Sequence, residues 1–86
     1  MAGVEDVKVH IAASVDEVER SIVGMRAVIE RLDEALARMR VTTAGSVHPQ
    51  AAEAILRFEE AKQRLEEAQT LAMGGVAAAQ AYHAII

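Results

Sequence analysis

Apolar residues recur at steps of three and four through the first half of the chain: Val4, Val7, Ile11, Val15, Val18, Ile22, Met25, Ile29, Leu32, Leu36 and Met39. This spacing is a near-unbroken heptad seam and predicts one helix over about residues 4–40. Val28 and Ala35 widen the stripe into the broader face of a bundle helix. Charges such as Asp16, Glu19, Arg20, Arg26, Glu30 and Arg31 lie away from it and read as a solvated face. Asp16–Arg20 and Glu34–Arg38 have the acid-before-base order at i,i+4, each contributing about 0.3 kcal/mol. Ser14 with Glu17 three residues on has the form of a capping box, which would start a helix near Val15. The seam keeps its phase across Ser14, so a single helix is the expectation.

The pattern resumes after Pro49 with Ala51, Ile55, Phe58, Leu65, Ala68, Ala72, Val76, Ala79, Tyr82 and Ile86, predicting a second helix over about residues 49–84. Lys62 interrupts this face, with a stem long enough to snorkel. Beyond Ala68 alanine dominates and offers a thin surface for close helix approach. Gly74-Gly75 costs a helix interior roughly 2 kcal/mol relative to alanine. The pair is expected to meet a close neighbour, with a bend as the alternative.

Between the two patterns, residues 41–48 gather the turn-forming residues. Gly45 suits the left-handed conformation that ends a helix, and Pro49 suits the first turn of the next. Ser46 or His48 is expected to cap the second helix, Ser46 being the better acceptor. The fold class expected is therefore all-α, a single domain over 1–86 in which an antiparallel two-helix hairpin turns at Gly45, Ser46, His48 and Pro49.

Composition sharpens this picture at one point. Hydrophobic residues make up 52% of the 86, more than a single seam uses, and there is no cysteine to staple the remainder. Self-association, dimerisation into a four-helix bundle, is the expected route to cover them. Ile29, Leu32, Leu36, Met39, Ile55, Phe58, Leu65, Leu71, Val76 and Tyr82 are the expected partner interface. Leu56, Met73 and Ile85, with Leu71, fall off the main face and hint at a second contact surface.

A net charge of −4, a pI near 5.3 and 2% aromatic residues argue against a nucleic-acid surface. The stretch Met1 to Asp6 lacks the basic-then-apolar order of a signal peptide. No apolar run reaches the roughly 18 residues of a membrane span. No glutamate stands three residues before His10, His48 or His83, as di-iron bundles require, so no metal or cofactor is expected. Ser14, Ser21 and Ser46 have no His or acid in a recognisable motif, and no phosphate loop appears, so no catalytic residue is assigned.

Length, central turn and two long helices together resemble the WXG100 (ESAT-6-like) superfamily of small secreted helical hairpins. The likeness spans nearly the whole chain and is architectural. Of the Trp-x-Gly turn motif, Ala44-Gly45-Ser46 keeps only the glycine; of the carboxy-terminal Tyr-x-x-x-Asp/Glu signal, only Tyr82 is present, with Ile86 in the acid's place. The turn Gly45-Ser46-x-His48-Pro49 also resembles small actinobacterial helical proteins of unknown function, segments of which precede toxin domains. Seven arginines against two lysines, nine basic residues in all, fit such a GC-rich genome.

The resemblance implies a non-catalytic interaction module: an adaptor, targeting or chaperone hairpin for a secreted effector. It would pair with itself or a sister hairpin and be exported without a signal peptide. A cytoplasmic coiled-coil module, antitoxin or regulator, is the alternative. A third reading rests on Arg26, Ile29, Leu32, Asp33 and Leu36, which faintly resemble the first helix of the small all-helical chorismate mutases. The second half offers only Arg57, Lys62 and Arg64 toward the pocket such an enzyme needs.

Overall fold

The computed structural model describes residues 3–86; Met1 and Ala2, the start of the acidic amino-terminal stretch, lie outside the described residues. The protein is an all-α hairpin of two helices, α1 over Val4–Thr42 and α2 over Pro49–Ile85. Helix α1 is continuous across Ser14, and the Gly3 carbonyl accepts the Val7 N–H at 3.1 Å. Glu5 and Asp6 sit in its first turn, where the helix dipole favours negative charge.

The corner is tighter than its composition requires. Helix α1 runs on to Thr42, and Thr43 ends it by donating both its backbone N–H (2.8 Å) and its hydroxyl (2.7 Å) to the Met39 carbonyl. The Thr43 carbonyl then accepts the Ser46 N–H at 2.9 Å, closing a four-residue turn. Gly45 is its third residue, with φ +79°, a value that carries steric strain for any residue with a Cβ. The expected side-chain cap on α2 is absent. His48 precedes the helix in an extended conformation and gives no side-chain cap bond. The Ser46 hydroxyl instead accepts the His48 backbone N–H at 3.3 Å. Pro49 lacks an N–H, so α2 begins with one fewer unpaired donor.

The two helices form a rod of 64 × 19 × 15 Å with a radius of gyration of 19.4 Å. A compact chain of this length would have a radius near 12 Å. Leu36, 1% exposed, is the one fully buried hydrophobic side chain among the described residues. Accessible surface totals 6484 Å². A folded monomer of this mass exposes roughly 4,900 Å², so the hairpin leaves about 1,500 Å² more in water.

Leu36→Ala should therefore cost about 2–5 kcal/mol, whereas Leu56→Ala, at a side chain 64% exposed, should move stability by less than about 0.5 kcal/mol. Urea unfolding followed by far-UV circular dichroism distinguishes the two.

Candidate functional site: two unlike shoulders along the rod

Both helices meet along a strict seven-residue repeat. Written abcdefg, the a positions of α1 include Val15, Ile22, Ile29 and Leu36, and its d positions include Ile11, Met25, Leu32 and Met39; all but Leu36 are half-buried. In α2 the d positions Leu65, Ala72 and Ala79 alternate with a positions Ile55, Lys62, Gln69, Val76 and His83, again half-buried, whereas the d residues Phe58 of α2 and Val18 of α1 are exposed. Three polar side chains thus stand in the α2 half of the seam. This repeat decides which residues serve the hairpin itself. Leu36 is consumed inside the chain and is closed to a partner, because it is 1% exposed between the two helices. Ile29, Leu32, Met39, Ile55, Leu65 and Val76 face the same groove and keep part of their surface outward. Leu71, Phe58 and Tyr82 are exposed, at 76%, 43% and 50%.

The two sides of the seam differ sharply in charge. On the e side stand Glu19, Arg26, Asp33 and Arg40 of α1 and Glu59 and Glu66 of α2. The interhelical ion pairs lie here: Arg40 with Glu59 at 2.6 Å and Lys62 with Asp33 at 2.5 Å. Both are in the half nearer the corner. The carboxylate of Asp33 accepts a hydrogen bond from the Lys62 ammonium and holds its pKa above the ordinary lysine value of 10.5; Glu66, at 3.8 Å, adds to this against partial desolvation and the nearby Arg40. Of the expected pairs within α1, Asp16–Arg20 forms at 2.9 Å, whereas Glu34 and Arg38 make no ion pair among the described residues.

The g side carries no charge along its whole length. Helix α1 presents Val7, Ser14, Ser21, Val28, Ala35 and Thr42, and α2 presents Ala54, Ala61, Ala68, Gly75 and Tyr82. At the open end these two rows border an apolar groove of about 620 Å³ that includes Val7, Ser14, Val18, Ala72 and Gly75. His10 lines this groove, while His83 lines a different one on the e side beside Asp16, Glu19 and Gln80. No cluster of three potential metal ligands exists among the described residues.

Gly74 and Gly75 do not have the close neighbour expected of them. Helix α2 continues unbroken through them, and a Cβ built on either, or on Gly24 of α1, would enter open space. Each glycine thus weakens its helix by about 1 kcal/mol with no return from packing inside the hairpin. The uncharged shoulder was not anticipated from the spacing of apolar residues alone. Its signal is the absence of charge at every g position, visible only once serine, alanine and threonine are tracked with the same repeat. Comparison with protein-family models, with curated proteins and with solved structures finds no match to this chain. No helix among the described residues is long and apolar enough to cross a membrane.

The Lys62–Asp33 pair predicts a pH signature of definite sign. A lysine whose folded pKa is raised stabilises the fold fully below its unfolded pKa and loses that contribution as pH rises through the folded value. Lys62→Met should lower the melting temperature at pH 7, and the gap to the unaltered protein should shrink above pH 10.5. A gap of constant size across that range would exclude the ion pair as its cause.

Proposed function

We propose that this protein is a non-catalytic protein–protein interaction module whose hairpin completes its core by joining a second hairpin in a four-helix bundle. The observation that carries this reading is that one hydrophobic side chain is fully buried among the described residues of a chain that is 52% hydrophobic. A two-layer core needs more covered area than one seam provides, and a second helix pair supplies it in the usual bundle geometry. Exposed large apolar side chains occur along both helices, from Val9, Val23 and Val28 on α1 to Leu56, Leu71, Tyr82 and Ile85 on α2. That spread supports a partner lying along the length of the rod.

The role we propose for the paired hairpin is that of an adaptor, targeting or chaperone unit for a secreted effector, as the WXG100-like architecture implies. Export would proceed without a signal peptide. Support for a binding role over a catalytic one comes from the side chains: the groove at the open end of the g side is lined chiefly by valine, alanine and isoleucine, with no acid or base in it except His10.

Association makes stability depend on concentration. The melting temperature should rise with protein concentration across the micromolar range, and sedimentation velocity should give a mass above that of one chain. A monomer that unfolds cooperatively at a concentration-independent temperature counts against the reading. Detection of the chain in culture supernatant, or only in the cell pellet, tests its exported role.

A further inference from the structure

We infer that the uncharged g-side shoulder is the seat of a second copy of this chain, laid end over end about a two-fold axis passing near Gly24 and Leu71. The inference rests on the interaction-module reading and adds the occupant, the face and the orientation. Three observations converge on it.

The first is area. The hairpin exposes about 1,500 Å² beyond what a compact monomer of its mass would. A standard interface of about 800 Å² per partner would cover only half of this, whereas obligate interfaces bury about 1,000–2,500 Å² per partner, so one further copy joined over an interface of obligate size covers the excess.

The second is the glycines. Gly24 stands near the middle of α1. The Lys62–Asp33 pair fixes the antiparallel register, and nine residues back from Asp33 and nine on from Lys62 bring Gly24 level with Leu71. Gly75 is one turn further along, on the same shoulder. A built Cβ on Gly24 or Gly75 meets nothing within the chain, so the backbone there is bare toward the outside. Bare backbone at mid-rod lets a second helix approach closely at the crossing point.

The third is charge. Bordering the shoulder on α1, the c positions are His10, Glu17, Gly24, Arg31 and Arg38. Glu17, Arg31 and Arg38 make no ion pair among the described residues. Glu17 and Arg31 stand two helical turns either side of Gly24, about 10 Å along the axis. A two-fold axis at Gly24 therefore sets each Glu17 against the other copy's Arg31, twice per dimer. The same operation on α2 sets Tyr82 over Ala61 and Ala68 over Gly75, large against small. Packing the same face corner-to-corner would instead set Arg31 and Arg38 beside Arg64 and Arg57, which already have carboxylate partners in their own helix, and would leave Arg31 and Glu17 without the cross-copy pairing.

Sedimentation equilibrium of the full chain at low ionic strength, with circular dichroism to follow folding, tests this. Unaltered protein should be a dimer. Gly75→Leu should keep its helical spectrum and become monomeric. Glu17→Arg and Arg31→Glu should each weaken the dimer about tenfold or more, and the two together should restore it, because the swap preserves the cross-copy pairing. Glu19→Arg, on the ion-paired shoulder, should leave the affinity unchanged. A dimer that ignores Gly75→Leu, or whose double charge swap fails to restore affinity, overturns the face or the orientation while leaving the interaction reading standing. A cooperatively folded monomer overturns both. A monomer without a cooperative transition overturns self-pairing alone, since its apolar face then belongs to a different chain.

Discussion

Two rods that touch along one line can shield only the stripes that face each other. Everything in this hairpin follows from that limit. Helices of 39 and 37 residues meet over most of their length, yet Leu36 alone is fully withdrawn from water among the described residues. The remaining seam residues are half-covered, each with a flank open to solvent. Hydrophobic stabilisation scales with area removed from water, so a two-helix fold gains little per residue compared with a bundle of four.

Within that limit the corner half and the open half solve the problem differently. Near the corner, the short turn at Gly45 holds the helices together, Leu36 supplies the core, and Lys62–Asp33 and Arg40–Glu59 tie the e side across the seam. Exposed pairs of this kind contribute at most about 1 kcal/mol each, but they fix which residues lie level with which. Toward the open end the seam passes to Ala72, Val76 and Ala79, whose short side chains fill little of the space between the helices and leave an apolar groove. Rigidity and register come from one half, and available apolar surface from the other.

The asymmetry between shoulders gives that surface a direction. A side of the rod carrying Glu19, Asp33, Arg40 and Glu59 keeps water, because stripping it from charges costs more than small-residue packing returns. The opposite side, with no charged residue at any g position and mostly serine, alanine, valine and glycine there, loses little on being covered. Gly75, a helix-interior glycine with open space where a Cβ would stand, lies on this side, and Gly24 borders it.

The periodicity of apolar residues determined by itself that the chain is two long helices with a corner near its midpoint, since seven-residue spacing admits no strand and the apolar repeat lapses over residues 41–48, where Gly45 ends one helix before Pro49 opens the next. It did not determine how those apolar residues divide between the hairpin's own groove and the outside. Phe58, Leu65 and Tyr82 look alike in a list of spacings. Only the packed structure leaves Phe58 and Tyr82 about half exposed while Leu65 faces α1. Likewise Lys62 reads in sequence as a flaw in an apolar face, and becomes a register lock only when Asp33 arrives from the other helix. The open space around Gly24, Gly74 and Gly75 is a property of where a second helix does not reach. Helix formation is local, set by propensity and period along one strand of chain; burial depends on which surface of the other helix comes opposite, and no single segment contains that information.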